Sequence, residues 1–303
     1  MCRRPSTNSI DPIIAFSRKV FGIHSYQSSS WYLNWALSND NIEIVTTDNA
    51  SKVITSMIHK MKIVLNKTEF VSVFNYVSDP DHLGDGLRHL ANLRREDKFF
   101  VPAVSNTNLC KVYEKMGANE VKFNWFQRYL IPLPHILLVF KFITGQKIEF
   151  TNRKSGISYS NSISDEKIRL IADASGIDDP NFISWRLCSR RNNRTFIFEL
   201  EREKALIIAM MGKRRKLPVV RIVGGYGSSS DIKRLVDSAS SFGRGLGAVV
   251  CLATVHGTQS HCILNDRRYR VRHGIKTYMK GLSPPEHLLM LCGDLGFDEQ
   301  FGS

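Results

Sequence analysis

The chain has no pair of cysteines at C-x-x-C spacing: Cys2, Cys110, Cys188, Cys251, Cys262 and Cys292 are scattered over its 303 residues. This excludes the common zinc-ribbon and dithiol patterns and, with no secretory-type apolar segment near Met1, predicts a reducing, cytoplasmic setting. His256, His261 and Cys262 lie close together but lack the spacing of a recognised zinc motif. Long apolar runs are also missing. The most apolar stretch, Tyr129 to Ile143, is interrupted by Pro132, Pro134, His135 and Lys141 and is too short to span a bilayer, so peripheral contact is the furthest membrane reading. Neither G-x-S-x-G nor G-x-x-x-x-G-K-[ST] occurs, which removes the nucleophile elbow and the nucleotide P-loop. Gly and Pro, at 20 and 10, are too few for a fibrous or wholly disordered chain. Acidic residues are scarce as well: 28 stand against 42 Lys plus Arg, a net charge of +14. That excess favours anionic partners without choosing between phosphate-bearing donors, nucleotide-linked substrates, nucleic acid and acidic membrane.

What is present is enough apolar residue, 43%, to bury substantial cores over a length that suggests two domains. The organising stretch runs from Asp79 to Gly117. It follows the alternating Glu69 to Val77, whose period of two reads as a strand. After His82-Leu83-Gly84-Asp85-Gly86 comes a helical pattern with Leu87, Leu90, Ala91 and Leu93 on one side. Phe99 to Val104 reads as a second strand, and a further helix carrying Tyr113 ends at Gly117. Glycines at the mouth of a helix let backbone N–H groups approach an anion, and the helix N-terminus adds partial positive charge.

Asp81 to Leu87, taken with Asn106 to Gly117, resembles the acyl-CoA-binding core of the GNAT N-acyltransferases. The resemblance places Gly84 and Gly86 on the loop glycines that bind the CoA pyrophosphate. It implies donor binding by Gly84, Asp85, Gly86, Leu87 and Arg88, with Asn106 leading a helix whose Tyr113 protonates the departing thiolate. Asp81 departs from the family's usual Arg or Gln, and Ala118 from its aromatic. Arg88, Arg94 and Arg95 are the cations near enough to offset Asp81 and Asp85. Glu69, Asp79, His82 and second-half carboxylates are all candidate bases.

Around this stretch, Asp11 with Pro12 starts a helix. Tyr32 to Trp35 is a short aromatic segment, Asn49 to Met61 reads as helical or irregular, and Glu120 to Leu133 as a terminal strand. Lys147 to Ser164 reads as a polar connector, with helical patterning resuming at Asp165. The second half then echoes the first. Tyr32-Leu33-Asn34-Trp35 and Phe182-Ile183-Ser184-Trp185 share one residue order about 150 residues apart. Leu87 to Leu90 and Ile232 to Leu235 recur at nearly that offset, as do Phe99 to Val104 and Ala248 to Ala253. Asp179 to Arg186 with Phe196 to Phe198 resembles the start of a second GNAT-like domain.

In that half, Gly243 to Ala248 reads as a turn out of a helix. Gly224 to Gly227 is an anion-loop candidate without a basic residue, read as a tight turn with Ser230 or Asp231 as N-cap. Asn265 falls opposite Tyr113, and an amide is no acid, so the reactive centre is expected in the first half. The C-terminal acids Asp294, Asp298 and Glu299 read as an amine-attracting or a solvated group.

The expected fold is therefore α/β, two GNAT-like mixed-sheet domains in tandem, over residues 10–145 and 163–300. The expected function is acyl transfer from acetyl-CoA or another acyl-CoA to a small amine acceptor, either a metabolite or a nucleotide-linked sugar, with no stable nucleic-acid complex. Two alternatives stand beside it: aminoacyl-tRNA-dependent transfer to a cell-envelope precursor, and a noncatalytic binding or structural protein on the duplicated scaffold.

Overall fold

The computed structural model describes residues 10–23, 25–104, 106–121, 123–130, 156–160, 164–175, 178–188, 194–200, 205–214, 217–256, 266–271 and 276–281. The first half opens with α1 (Asp11–Phe21) and α2 (Ser30–Leu37). Pro12 suits the start of α1 because a first-turn residue has no intrahelical N–H bond to lose. An antiparallel meander follows: β1 (Ile42–Asp48), β2 (Ile54–Leu65) and β3 (Thr68–Ser78). Then come α3 (Leu83–Arg94), β4 (Phe99–Val104), α4 (Thr107–Lys115), β5 (Asn119–Val121) and β6 (Phe123–Tyr129). The second half begins with β7 (Ile157–Ser160), α5 (Asp165–Ser175), α6 (Pro180–Cys188), β8 (Arg194–Leu200), β9 (Leu206–Arg214) and β10 (Leu217–Tyr226). It ends with α7 (Ser229–Gly245), β11 (Val250–His256), β12 (Arg270–Val271) and β13 (Lys276–Lys280).

Two mixed sheets result, ordered β1-β2-β3-β4-β13-β5 and β12-β6-β11-β10-β9-β8-β7. Read in corresponding directions, the second repeats the first with β7 added at one edge. Each sheet takes one strand from the opposite half. β13 pairs with β4 and β5 in the first sheet, and β6 pairs with β11 and β12 in the second. Neither sheet is complete without the other half of the chain.

The apolar residues divide into three clusters. A shared core draws on α1, α2, α5, α6 and the facing sides of both sheets, from Ile13 and Trp35 to Trp185 and Val223. Outside the first sheet, Leu90, Leu93, Val101, Tyr113 and Tyr278 form a second core under α3 and α4. Outside the second sheet, Phe126, Ile222, Leu235 and Ala239 form a third under α7. The echoed motifs meet in the shared core: the Trp35 and Trp185 rings stack with centroids 4.4 Å apart and planes 5° from parallel. Trp185 Nε1 also donates to the Trp35 carbonyl at 3.1 Å, across 150 residues of sequence.

Several expectations are corrected. Residues 54–61 belong to β2 rather than to a helix or irregular segment, so the early hairpin is present. Its alternation is hidden because both faces of the sheet are covered: before Lys62 only Ile54 and Lys60 are even half-exposed. Tyr32 to Trp35 is helical, in α2. Leu87 is 61% exposed; the buried side of α3 is Gly86, His89, Leu90 and Leu93, one residue round from the side expected. Residues 157–160 of the expected connector form the edge strand β7. Residues 131–155, with most of the apolar Tyr129 to Ile143 run, lie outside the described residues, as do Asn265, His261, Cys262, Asp294, Asp298 and Glu299. Among the described residues no helix is long and apolar enough to cross a membrane, and no cluster of His, Cys, Asp and Glu could hold a metal.

An ionic cluster fastens β6 to α7. Asp237 accepts from Arg128 Nη1 at 2.7 Å, Tyr269 Oη at 3.0 Å, Lys233 Nζ at 3.0 Å and Arg268 Nη2 at 2.8 Å. Burial alone raises the Asp237 carboxyl, but Lys233 and Arg268 outweigh it and hold the group below its ordinary value. Asp237→Ala leaves Lys233 and Arg268 sharing Asp266, and Arg128 with the Tyr269 hydroxyl in place of a carboxylate. It should cost about 2 kcal/mol in urea unfolding, the range for hydrogen bonds to charged groups; a loss below about 0.5 kcal/mol would contradict this role.

Candidate functional site

The first sheet opens into a wedge. β3 and β4 are parallel but pair only at Val71 with Phe99 and Ser72 with Phe100. Beyond these, β3 stays with β2 as far as Ser78, while β4 turns to β13. A bulge sets in where the strands part: Asn75 and Tyr76 together oppose Ile58, between the pairs His59–Phe74 and Met57–Val77. Asn75 has φ +56°, a left-handed value that asparagine tolerates better than most residues.

On the shared-core side of the bulge, Asn75 Nδ2 donates to Tyr32 Oη at 3.1 Å and lies 3.4 Å from His59 Nδ1. Gln27, from the short 3-10 turn between α1 and α2, donates to Asn75 Oδ1 at 3.4 Å. His59 is fully buried, and desolvation lowers its pKa to about 3, so it stays neutral. This polar network ties the segment between α1 and α2 to the bulged strand.

The other side of the wedge faces α3 and α4. Gly84, Asp85 and Gly86 lie inside the first turn of α3 rather than in an open loop ahead of it. His82 occupies the N-cap position and makes no side-chain cap bond, so the first-turn amides face outward without one. Gly84 is exposed, with open space where a Cβ would stand. Gly86 is buried: a Cβ there would lie 2.5 Å from Tyr76 Oη and closer still to Ser78 Oγ. The helix mouth is thus open at Gly84 and packs on two hydroxyls at Gly86.

The local acids are tied to partners. Asp85 Oδ2 accepts from Thr55 Oγ1 at 2.6 Å. Buried Asp79 accepts from Lys19 Nζ at 2.5 Å, and that bond holds its carboxyl below the ordinary range, which leaves it ionised and engaged rather than a free base. His82 Nδ1 is 3.5 Å from the same carboxylate. Asp81 is largely exposed, 3.9 Å from Lys19. Glu69, the remaining first-half candidate base, faces Lys62 on the β2–β3 hairpin at 3.6 Å, away from the wedge. Leu87 and Arg88 are exposed on the next turn.

Asn106 caps α4, its Oδ1 accepting from the amides of Asn108 at 2.9 Å and Leu109 at 3.3 Å. Its side chain is thereby committed to the helix end. Tyr113 is 1% exposed, with ring centroids 6.3 Å from Phe99 and 5.8 Å from Tyr278. Burial raises its phenol well above the ordinary value, and Tyr76 and Cys110 add to the shift. The fold brings Gly84, Asp85, Gly86 and Tyr113 to one wedge, and leaves Asn106, Leu87 and Arg88 at its margin. Tyr76 and Ser78, which stand against Gly86, were not among the residues singled out from the sequence. The signal was their placement two residues apart on one strand face, at the carboxyl end of the strand that feeds the glycine helix, where sites in α/β sheets gather.

In the second half, β10 and β11 likewise pair over three residues and then part. The helix mouth there is closed by its own side chains. Ser228, rather than Ser230 or Asp231, is the N-cap of α7; its Oγ accepts from the Asp231 amide at 3.2 Å and meets Asp231 Oδ2 at 2.7 Å. Gly225, at φ +149°, could carry no side chain, since a Cβ would lie 2.8 Å from Ile207 Cα. Gly243 sits within α7 against Val220, and Gly247 makes the turn after it at φ +91°.

No protein-family model matches the chain, and no curated protein does. Solved structures do. A putative acetyltransferase from Pyrococcus horikoshii is similar over 96% of this chain and 94% of its own, at 12% identity and a TM-score of 0.61. N-myristoyltransferase of Saccharomyces cerevisiae, solved with bound myristoyl-CoA, is similar over 94% of this chain and 80% of its own, at 8% identity and 0.61. A GCN5-related N-acetyltransferase from Anabaena variabilis covers 92% of this chain and 71% of its own, at 10% and 0.55. With two mixed sheets of matching strand order, each splayed after a bulged strand, the chain has the tandem GNAT-like α/β fold.

Proposed function

We propose that this protein transfers an acyl group from acyl-CoA, acetyl-CoA or a longer homologue, to the amine of a small metabolite or a nucleotide-linked sugar, with the reaction in the first half. One observation carries the reading: the parted strands β3 and β4 open directly under a helix mouth that has no side-chain cap. The counterpart in the second half is closed by Ser228 and Asp231.

The residues present fit an anionic donor. Open space at Gly84 admits a phosphate to the first-turn amides, where the α3 dipole favours negative charge. Asp79 and Asp85 are turned aside by Lys19 and Thr55, and Arg88 is exposed one turn along the helix. When bound, an acyl thioester supplies an activated carbonyl and a thiolate leaving group. The bulge at Asn75 and Tyr76 lies beside the wedge, at the point where β3 has parted from β4. The turn at Tyr26–Ser28 is held to Asn75 by Gln27 on the shared-core side of the bulge. Asn106 fixes the start of α4, whose Tyr113 forms the back of the wedge.

Product mass spectrometry with several acyl-CoAs and a panel of amines, including nucleotide-linked amino sugars, should reveal an acylated amine. Calorimetry should show CoA binding that weakens as salt rises, since phosphate contacts are screened. If neither acetyl-CoA nor longer acyl-CoAs bind, the reading fails and a scaffold without donor binding takes its place.

A further inference from the structure

We propose that Tyr76, on the bulged strand, is the proton donor of the wedge, and that Tyr113 supports it from behind. The proposal rests on the acyl-transfer reading above and names a residue within that site.

Three observations converge on Tyr76. It follows the left-handed Asn75 in the bulge, so the strand presents its side chain where β3 has already left β4. Its phenol reaches the first turn of α3: the space a Gly86 Cβ would fill is occupied by Tyr76 Oη and Ser78 Oγ. Its ring is half-buried, whereas Tyr113 is 1% exposed and sealed by Phe99 and Tyr278. A proton donor must reach the reacting group directly or through one water. Of these two phenols, Tyr76 is the one that is not sealed.

The surroundings also suit the chemistry. Burial raises the Tyr76 phenol above its ordinary value, with Ser78 opposing, so the proton is in place at neutral pH. The positive end of α3 lies against the oxygen and stabilises the phenolate as the proton leaves. Protons and electrons balance as follows. The acyl carbon forms a bond to the amine nitrogen as its bond to sulfur breaks, and the electron pair stays on sulfur. Sulfur takes the Tyr76 proton, and the nitrogen's surplus proton passes to water. Water returns a proton to the phenolate, and nothing is oxidised or reduced.

The test uses the full chain with coenzyme A and acetyl-CoA as probes. Tyr76→Phe should bind CoA within about threefold of the parent and lose about 100-fold or more in turnover. The loss should shrink when the donor is an aryl thioester, whose thiolate needs no acid. Tyr113→Phe should lose less than about tenfold, as befits a supporting residue. Independently of turnover, 3-fluorotyrosine placed at position 76 should shift its fluorine resonance on addition of CoA. An unmoved resonance in protein that binds CoA, or Tyr76→Phe turnover within about threefold of the parent, overturns the assignment. Absence of CoA binding by the parent instead overturns the acyl-transfer reading, and the Tyr76 assignment falls with it.

Discussion

Trp185→Ala should lower the unfolding free energy by about 3–5 kcal/mol, the cost of emptying a large aromatic site in a core. Trp185 and Trp35 are 8% and 6% exposed, stacked at 4.4 Å, and sit where the two halves share one hydrophobic cluster. The lost stacking accounts for roughly 0.5–1.5 kcal/mol, and the cavity and lost burial for most of the remainder. The Trp35 carbonyl is not orphaned, because Ser38 Oγ still donates to it at 2.7 Å. Trp185→Phe keeps a ring in the site and should lose less than half as much. Because each sheet includes a strand from the other half, unfolding should remain one transition, in parent and variant alike, by circular dichroism and tryptophan fluorescence. A loss below about 1 kcal/mol, or two separated transitions, would show that the halves stand independently.

Acid should destabilise the protein well before its carboxylates titrate. His59 is fully buried against Met57, Tyr32 and Phe74, and its pKa falls from 6.5 to about 3 through desolvation. The unfolded chain therefore binds a proton that the folded chain refuses below pH 6.5. Stability is complete above that pH and declines as pH falls toward 3, by about 1.4 kcal/mol per pH unit for this one group. Near pH 4.5 the loss is about 2.7 kcal/mol. His89, also buried, is lowered in the same direction by desolvation and adds to the slope. Urea titrations from pH 7.5 to 4.5 should show the decline, and His59→Gln should flatten it despite a lower starting stability. An unchanged midpoint across that range would falsify the account. Since His59 also contacts Asn75, loss of the bulge geometry should accompany the first acid-induced opening.

Runs of β-branched and aromatic residues, amphipathic helices and the duplication that relates the halves are legible in the amino-acid order. Glu69 to Val77 reads as a strand through its β-branched and aromatic residues, Phe70, Val71, Val73, Phe74 and Val77, although residues 70–74 are buried on both faces. Phe99 to Val104 and Asp165 onward were legible for similar reasons, and the paired Trp motifs marked a repeat whose two copies turn out to touch. β2 was not legible. Covered on both faces, it has no periodic contrast to display.

Strand exchange and the depth of each tyrosine were decided only in the tertiary structure. β5 and β6 are separated in sequence by Lys122 alone, yet they join different sheets, and nothing in their local pattern distinguishes the two destinations. Tyr113 reads as one tyrosine on an amphipathic helix. It is sealed by Tyr278, which arrives on β13 from the opposite half, its hydroxyl donating to Glu114 at 2.9 Å. Tyr76 is left open because β3 parts from β4 before reaching it. Burial depends on what packs over a side chain, and here the covering residues come from strands more than half the chain away, beyond the reach of any local periodicity.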